Sequence, residues 1–300
     1  MILISVIVPT KNRAEQLMCF IDSLISQSLL PQELVIVDQS FNNTSEVNIK
    51  RKLTQFPNIK LIYIYDISIK GLVAAKKVGV SMCSGNIIFF LEDDVILKND
   101  YLYQISEGFN RVPKMVGCSG VIINPPKISI TYKFFFLVFH RGIFFDPRIL
   151  IFGNENLVKH NLLRSDKISG GVSAWKREVF EQVDFDIFND FHMYEDIDFS
   201  TRVARHYGNR LFINPNARLA HYCSPINRDV LDIRQRRKVR ELFTYYKKRK
   251  DWPSATISFY WLLLGMFLES IFQSFSSMSF KPIQGYLLGL QDGSAKKIIS

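Results

Sequence analysis

The sequence has no paired cysteines and few acidic residues relative to basic ones, and both shortages narrow what the protein can be. Its four cysteines are scattered without a C-x-x-C pair, so neither a disulfide framework nor a structural zinc site is expected. Against 38 Lys and Arg there are 28 Asp and Glu, which gives a formal net charge of +10. This excess indicates an anionic partner such as a nucleotide, a nucleic acid or a lipid surface.

The N-terminal apolar run lacks the features of a signal peptide. No basic segment precedes it, and Pro9 interrupts it early, so we expect a first β-strand there. Hydrophobic residues make up 47% of the chain, which is enough for a packed core and excludes a disordered protein. Three hundred residues allow one large domain, or a catalytic domain with a C-terminal extension.

Short apolar runs alternate with helical patterns as far as residue 125. Residues 13–27 and 71–82 have the apolar spacing of helices, and runs of strand type lie at 4–8, 34–38, 59–65 and 87–91. Nearly continuous apolar strands separated by helices are typical of a parallel sheet that helices cover on both faces. The pattern therefore predicts an α/β fold of Rossmann type.

Each of these apolar runs ends in polar residues. Pro9 to Asn12 follow the first run, Asp38 to Ser40 the second, Asp66 the third, and Glu92 to Asp94 the fourth. In an open α/β sheet, ligands bind beyond the carboxyl ends of the strands. The sequence therefore predicts that these clusters share one rim, where a ligand binds.

The run Glu92-Asp93-Asp94 is the most informative of the clusters. Alternate residues at the end of a strand point to one side, so Glu92 and Asp94 face the same way while Asp93 faces elsewhere. Two converging carboxylates repel each other unless a cation joins them, and oxygen ligands select Mg²⁺ or Mn²⁺. The alternative is a solvated turn with an Asp that caps the following helix.

Six motifs in order resemble the family 2 glycosyltransferases of the GT-A fold. They are SVIVPTKNR, ELVIVDQS, KGLVAAKKVGV, SGNIIFFLEDDVIL, SGGVSAWKREVFEQVDFD and YEDIDFSTRV, and the resemblance extends over residues 4–221. It implies an enzyme that uses a nucleotide-sugar donor and a divalent metal ion. Two positions depart from the family pattern, since Glu92 stands where Asp is more common and Lys77 where Asn is common.

The resemblance also implies a role for individual residues. The general base is Asp196, and the metal ligands are Asp94 and His221. The residues that bind the nucleotide-sugar are Pro9, Asn12, Asp38, Asp66, Lys70, Lys76, Glu92 and Asp93. The loop that shapes the donor-sugar and acceptor site contains Gly170, Gly171, Trp175 and Glu195.

Several of these residues have a structural alternative on the sequence alone. Asp196 has the position of a charge that favours the N-terminus of a helix. His221 lies in an alternating strand and has the alternative of a core histidine, and Trp175 that of a packing residue. For Asp38 the alternative is a turn residue. These alternatives stay open at the level of the sequence.

The domain prediction separates the chain near residue 225. Residues 1–225 are expected to form the catalytic domain, with 1–125 as the nucleotide-sugar half and 126–225 as the acceptor half. The remainder, 226–300, is expected to be helical. It begins with a run at 228–250 that carries ten Lys and Arg against three Asp and Glu, followed by the apolar segment 256–275.

The basic run and the apolar segment together favour attachment to an anionic membrane surface. A solvated helix, a buried helical hairpin and an oligomer contact are the alternatives, and a homo-oligomer stays possible. Nucleic-acid binding is not expected, because no nucleic-acid module accompanies the charge. The aromatic segment 132–152 has no role that the sequence reveals.

The sequence therefore predicts an inverting, metal-dependent glycosyltransferase. We expect a UDP- or dTDP-sugar donor, a glycan or lipid-linked acceptor, a role in bacterial surface polysaccharide synthesis, and a cytoplasmic location on the inner face of the membrane. A sugar nucleotidyltransferase is one alternative, although PTKNRAEQL lacks the glycines of its phosphate loop. The other is an inactive protein that binds nucleotide-sugars or membranes.

Overall fold

The computed structural model describes most of the chain, apart from several short gaps and one longer one. The described residues are 2–125, 130–139, 162–189, 191–224, 226, 229–252 and 254–297. The aromatic segment at 132–152 lies outside them from residue 140 onward.

Within the described residues, nine strands form one mixed sheet. They are β1 (Ile4–Thr10), β2 (Glu33–Asp38), β3 (Lys60–Tyr65), β4 (Ile87–Leu91), β5 (Val95–Leu97), β6 (Gly117–Ile122), β7 (Leu163–Ser165), β8 (Val172–Lys176) and β9 (Leu211–His221). Their order is β3-β2-β1-β4-β8-β6-β9-β5, and β7 pairs with β9. The first four strands are mutually parallel, whereas β8 runs antiparallel to both of its neighbours.

The described helices fall into two groups. Those that accompany the sheet are α1 (Ala14–Ile25), α2 (Thr44–Leu53), α3 (Leu72–Met82), α4 (Tyr101–Arg111), α6 (Glu178–Gln182) and α7 (Glu195–Tyr207). The others are α5 (Ile130–Phe139), α8 (Leu231–Lys247), α9 (Ala255–Ser276) and α10 (Lys281–Ala295).

The predicted α/β fold is confirmed, and burial explains why these residues form it. Every residue of β2 and β4 is buried, as strands covered on both faces must be. Alternate side chains of β1, β2 and β4 enter two separate core clusters, one on each side of the sheet. The parallel order holds only for the first four strands, because the later ones pair in both directions.

The register of the parallel strands brings their polar ends to one rim. Thr10 of β1 lies beside Asp38 of β2, and Asp38 lies beside Tyr65 at the end of β3. Ile7 of β1 pairs with Phe90 of β4, so Glu92 to Asp94 follow at the level of Pro9 and Thr10. The strand-end clusters therefore lie along the same edge, as the sequence predicts.

The contacts divide the chain into two units. The first contains Met1–Pro125, Pro147–Phe185 and Asp196–Ile226, and the second contains Pro126–Asp146, Asp186–Glu195 and Asn227–Ser300. The prediction assigned all of 1–225 to one domain. In the structure, residues 186–195 group with the C-terminal helices, and Glu241 of α8 binds the N–H groups of Met193 and Tyr194 there. The domain boundary near residue 225 stays a prediction.

Candidate active site

Glu92, Asp94 and His221 converge on one point. The Nε2 atom of His221 lies 2.9 Å from Glu92 Oε2 and 3.0 Å from Asp94 Oδ1. One ligand atom from each of the three residues lies within 4.8 Å of the other two. This is the arrangement in which a single cation contacts all three side chains.

Three strands position this triad of Glu92, Asp94 and His221. Glu92 directly follows β4, and Val95 of β5 pairs with His221 at the end of β9. The side chain of Asn124 fixes the His221 backbone, accepting from its N–H at 2.7 Å and donating to its carbonyl at 3.2 Å. The β5–β9 pairing therefore brings His221 beside Asp94, although the two residues lie far apart in sequence.

The electrostatics of the triad favour a positive charge. Burial by itself lowers the pKa of the His221 imidazole, but the contacts with Asp94 and Glu92 outweigh it and raise this pKa to about 10. For Asp94, burial raises the pKa, but contacts with His221 and the Ser224 N–H outweigh it, so the pKa is lowered. The two carboxylates thus stabilise a cation at this place.

Two buried atoms of the triad fit a metal ion. Asp94 Oδ1 and His221 Nε2 are buried and face each other without the directed geometry of a hydrogen bond, and neither has such a partner among the described residues. Buried polar atoms are normally paired. Two carboxylates and one imidazole form a donor set that suits a divalent ion such as Mn²⁺, so the residues present fit this group.

Asp93 points away from the triad and towards β1. It is 2% exposed, accepts a hydrogen bond of 2.6 Å from the Thr10 hydroxyl, and pairs with Arg13 at 3.0 Å. Burial raises the pKa of Asp93 to about 6, although Thr10 and Arg13 act in the opposite direction. This geometry agrees with the expectation that Glu92 and Asp94 face one side and Asp93 faces another.

Arg13 is a site residue that sequence reasoning missed. Its guanidinium contacts Asp93, lies 3.4 Å from Asp94, and donates to the Ile226 carbonyl at 2.8 Å. The only signal was a basic residue directly after Asn12 in the first strand-end cluster. Arg13 therefore joins the loop after β1 to both aspartates.

Gly171 provides room for the Glu92 side chain. The Glu92 N–H donates to the Gly171 carbonyl at 2.9 Å, so the two chains lie close together where β8 begins. A Cβ atom at position 171 would collide with the Glu92 carboxylate. A glycine here allows Glu92 to turn towards His221.

The residues predicted to bind the nucleotide connect neighbouring loops of the rim. The Asn12 side chain accepts from the Phe41 N–H at 3.0 Å, and the Asn12 N–H donates to Ser40 at 2.7 Å. Asp38 is buried and accepts from the Ser40 N–H and the Tyr63 hydroxyl. Asp66 accepts from the Ser68 N–H, and the Ser68 side chain, followed by its N–H, lowers the pKa of the Asp66 carboxyl group. Their contacts with a nucleotide, and that of Pro9, stay predictions.

The lysines differ in how accessible they are. Lys70 is exposed and donates to the Ile67 carbonyl at 2.7 Å. Lys76 is only 2% exposed, with its ammonium 5.5 Å from the Phe90 ring centroid. Lys77, the residue that departs from the family pattern, pairs with Asp184. Lys70 is therefore more accessible to a diphosphate than the buried Lys76.

Trp175 lies in strand β8, and its side chain belongs to the core cluster on one face of the sheet. Its ring packs edge-on against Phe199 at 5.0 Å, and its Nε1–H donates to Ser173 at 2.9 Å. The side chain is buried. Of its two alternatives, the structure favours packing over contact with a sugar.

The predicted base, Asp196, lies in the first turn of α7. Its carboxylate is half-buried and accepts from the Ile197 N–H at 2.8 Å. Glu195 beside it is buried, and Asp198 forms an ion pair with Arg202 at 2.8 Å. The arginine pair and its burial make Asp198 the less accessible carboxylate of this turn.

Hydrogen bonds connect α7 to the strand that holds Glu92. Ser200, about one turn after Asp196, receives a hydrogen bond from the Ile168 N–H at 3.2 Å. The chain then continues through Gly170 to Gly171, whose carbonyl binds the Glu92 backbone. This short route links the predicted base to the triad within one unit.

A cleft of about 930 Å³ lies at the opposite end of β5 from Asp94. Its lining includes the basic side chains of Lys98, Arg111 and Arg218. It follows α4 from Gln104 to Arg111 and the middle of β9, so its residues are not those of the predicted site. The triad is defined by its side chains rather than by this cavity.

The comparison with protein families identifies the class of this protein. The model of glycosyl transferase family 2 matches residues 5–182, which is more than half of the chain. The chain belongs to this family and is a glycosyltransferase. This membership favours the glycosyltransferase over the nucleotidyltransferase. No curated protein sequence gave a match.

Several solved glycosyltransferases share the fold. The mannosyltransferase PcManGT from Pyrobaculum calidifontis, in complex with GDP-Man and Mn²⁺, matches with a TM-score of 0.60 at 17% identity, over 98% of this chain and 76% of that one. TarS from S. aureus with UDP-GlcNAc matches with 0.62 at 15%, over 97% and 80%. GalNAc-T7 with UDP, GalNAc and Mn²⁺ matches with 0.58 at 16%, over 84% and 49%.

Proposed function

We propose that this glycosyltransferase transfers a sugar from a nucleoside-diphosphate donor to an acceptor hydroxyl with inversion, assisted by a divalent metal ion. The observation that carries the proposal is the convergence of Glu92, Asp94 and His221 within 4.8 Å. Three solved relatives of the same fold support it, since their complexes contain GDP-Man, UDP-GlcNAc or UDP, two of them with Mn²⁺.

The metal site is proposed to hold Mn²⁺ through one oxygen each of Glu92 and Asp94 and the Nε2 atom of His221. An imidazole ligand favours Mn²⁺ over Mg²⁺, which prefers oxygen ligands throughout. When bound, the ion neutralises the charge that develops on the departing diphosphate. Asn124 and the β5–β9 pairing keep His221 in the orientation that this ligation requires.

Asp196 is proposed to act as the general base. It accepts the proton of the acceptor hydroxyl as that oxygen forms a bond to the anomeric carbon. The bond from this carbon to the diphosphate oxygen breaks on the opposite face, and the nucleoside diphosphate leaves with the electron pair. Asp198 is only 1% exposed and pairs with Arg202, whereas the half-buried Asp196 is accessible to an acceptor hydroxyl, so Asp196 is the better candidate of the two.

The protein is expected to release nucleoside diphosphate from one donor in a metal-dependent manner. UDP-, dTDP- and GDP-sugars are incubated with the protein and Mn²⁺, and release is measured with and without a chelator. We expect turnover of one base class, loss of this turnover with chelator, and recovery when Mn²⁺ is returned. Turnover that chelator leaves unchanged would contradict the proposal of a metal-dependent enzyme.

The biological setting is proposed to be bacterial surface polysaccharide synthesis on the inner face of the membrane, with a glycan or lipid-linked acceptor. Within the described part of the chain, Ala255–Ser276 is a helix that meets the length and composition of a membrane span, a test that core helices also meet. One face of α9 is buried, through residues such as Phe259, Leu262 and Met266. We therefore propose that the helix lies on the membrane instead of crossing it.

The exposed face of α9 supports this attachment better than the basic run does. Ile257, Tyr260, Trp261, Leu264, Phe267, Leu268, Phe272 and Phe275 are exposed at helical spacing, which forms one apolar stripe along the helix. Lys250 and Lys281, both exposed, lie before and after the helix. An apolar stripe with cations at its two ends suits the interface of an anionic bilayer.

Much of the charge in the basic run is used inside the second unit. Arg236 pairs with Asp292 at 2.6 Å, and Lys238 pairs with Glu269 at 2.5 Å. Lys248 pairs with Asp186 at 2.6 Å, and Lys247 donates to carbonyl groups near the end of α10. Attachment through this run alone is therefore a weaker proposal than attachment through the apolar stripe.

A variant with Phe272 and Phe275 replaced by Ser is expected to lose binding to vesicles of anionic lipid. These side chains are 74% and 80% exposed, and burying each in the interface contributes up to about 1.5–3 kcal/mol. Flotation with the vesicles measures the bound fraction. The matched control is Phe41→Ser, which removes an exposed Phe from the catalytic unit. Equal flotation of the double variant and the unchanged protein would contradict attachment through this stripe.

A further inference from the structure

A buried glutamate on α8 binds the backbone that leads into α7. Glu241 is 0% exposed, and its Oε2 atom accepts from the Met193 N–H at 2.7 Å and the Tyr194 N–H at 3.1 Å. Burial raises the pKa of this carboxyl to about 7, although backbone N–H groups at Met193, His192 and Tyr194 act in the opposite direction. The carboxylate therefore occupies a cradle of successive N–H groups.

The same segment is held at two further points by C-terminal residues. The Lys248 ammonium pairs with Asp186 at 2.6 Å and lies 5.2 Å from the Phe191 ring centroid. The Lys296 ammonium donates to the Asn189 carbonyl. These contacts explain why 186–195 belongs to the helical unit although the sequence around it resembles the catalytic domain.

Glu241 provides an acceptor where the chain enters α7, for the N–H groups of Met193 and Tyr194, which directly precede the first helical residue. The first N–H groups of a helix require acceptors, which Ser, Thr, Asp or Asn at the preceding position usually provide. Tyr194 precedes Glu195, the first residue of α7, and its side chain is not of this type. A carboxylate at the start of a helix is also favoured by the helix dipole.

We propose that Glu241 is a positioning residue that fixes the direction in which the chain enters α7, and so the orientation of the Asp196 carboxylate. This inference rests on the proposed role of Asp196 as the base. A buried carboxylate is costly, and an apolar residue of similar size would serve packing at least as well. Its hydrogen bonds to the segment directly before Asp196 give the carboxylate a different purpose.

Positioning by an acceptor of the correct length predicts an unusual order among substitutions. Glu241→Gln keeps the length and an oxygen that accepts N–H groups, whereas Glu241→Asp keeps the charge but is one methylene shorter. Gln should therefore preserve the role better than Asp, and Glu241→Ala should lose it. The matched control is Glu269→Gln, which removes a carboxylate that pairs with Lys238 in the same unit.

The test combines hydrogen exchange with turnover in the full-length protein. In Glu241→Ala, exchange of the Met193 and Tyr194 amides is expected to accelerate by about 10- to 100-fold. Nucleoside diphosphate release with Mn²⁺, measured on the donor that the UDP-, dTDP- and GDP-sugar panel selects, should show kcat reduced by about 10- to 100-fold at similar KM. Glu241→Gln should show little of either change, whereas Glu241→Asp should resemble Glu241→Ala. The control Glu269→Gln should behave like the unchanged protein.

The outcomes separate the inference from the proposed function. Turnover of Glu241→Ala equal to that of Glu269→Gln would overturn the positioning role, even if the variant melts at a lower temperature. Recovery by Asp but not by Gln would also overturn it, because charge and not reach would then matter. If Asp196→Asn retains full turnover, the proposed base is wrong, and the exchange result at Met193 and Tyr194 still reports whether Glu241 holds the segment. Should Glu241→Ala not fold, the comparison of Gln with Asp decides alone.

Discussion

The Asp196→Asn variant is expected to lose sugar transfer by a factor of about 10² to 10⁴ in kcat, the contribution typical of a general base. The substitution keeps the size of the side chain and its hydrogen bond from the Ile197 N–H, but an amide does not accept the acceptor's proton. The KM for the donor should change little, because the proposed donor site lies at the strand ends and not at α7. Initial rates at saturating donor and acceptor measure the effect.

Asp198→Asn is the matched control for this prediction. It changes the same group in the same helical turn, where the carboxylate pairs with Arg202. We expect transfer close to that of the unchanged protein, with some loss of thermal stability from the broken pair. If the loss of kcat occurs in Asp198→Asn and not in Asp196→Asn, the assignment of the base is reversed.

The Asp94→Asn variant is expected to bind Mn²⁺ at least about 100-fold more weakly, since even partners outside the ligand shell affect metal affinity by about 10- to 100-fold. Asn retains an oxygen that accepts from the Ser224 N–H, which Asp94 binds at 2.8 Å, so the loop is expected to keep its fold. Donor turnover at limiting Mn²⁺ should fall in parallel and recover in part at high Mn²⁺. Titration calorimetry measures the affinity.

Asp93→Asn is the control for metal binding at the adjacent position. The Asp93 carboxylate contacts Thr10 and Arg13 and lies outside the triad. Its replacement should change protein stability while Mn²⁺ affinity stays near that of the unchanged protein. Equal loss of affinity in both variants would mean that the negative charge of the strand end, and not ligation by Asp94, holds the ion.

Local patterns in the sequence were sufficient to predict the first four strands and the shared orientation of Glu92 and Asp94, whereas the proposed roles of Asp94 and His221 came from the family resemblance. The apolar runs marked β1 to β4, and the twofold period of a strand indicated that Glu92 and Asp94 face one side. The alternation in ARLAHYC likewise indicated the strand that carries His221. These predictions depend on properties of a few consecutive residues, which the sequence states directly.

Contacts between distant parts of the chain were not predictable in this way. Arg13 reaches aspartates 80 residues away, and no local pattern indicates this. The basic run resembled a free cationic surface because its partners Asp186, Glu269 and Asp292 lie elsewhere in the sequence. The burial of Lys76 and Trp175 likewise depends on packing across the sheet, which periodicity alone does not reveal.

The C-terminal unit illustrates the same limit for function. From the sequence, it was a helical extension expected at the membrane, with a solvated helix, a buried hairpin and an oligomer contact as alternatives. The hydrogen bonds of Glu241 to the segment before α7 give it a second task next to the predicted base. Acceptors for backbone groups come from anywhere in the fold, so the motif YEDID does not indicate that Glu241 binds the backbone beside it.

Pulsed EPR of the Mn²⁺-bound protein tests the metal triad most directly. Coupling of the electron spin to a ¹⁴N nucleus reports an imidazole bound to the ion. We expect nitrogen coupling from one histidine in the unchanged protein. The coupling should disappear in His221→Gln and remain in the control His206→Gln, which changes a histidine of α7. A spectrum without nitrogen coupling, or with coupling that survives in His221→Gln, would contradict the assignment of Glu92, Asp94 and His221 as the site of the ion.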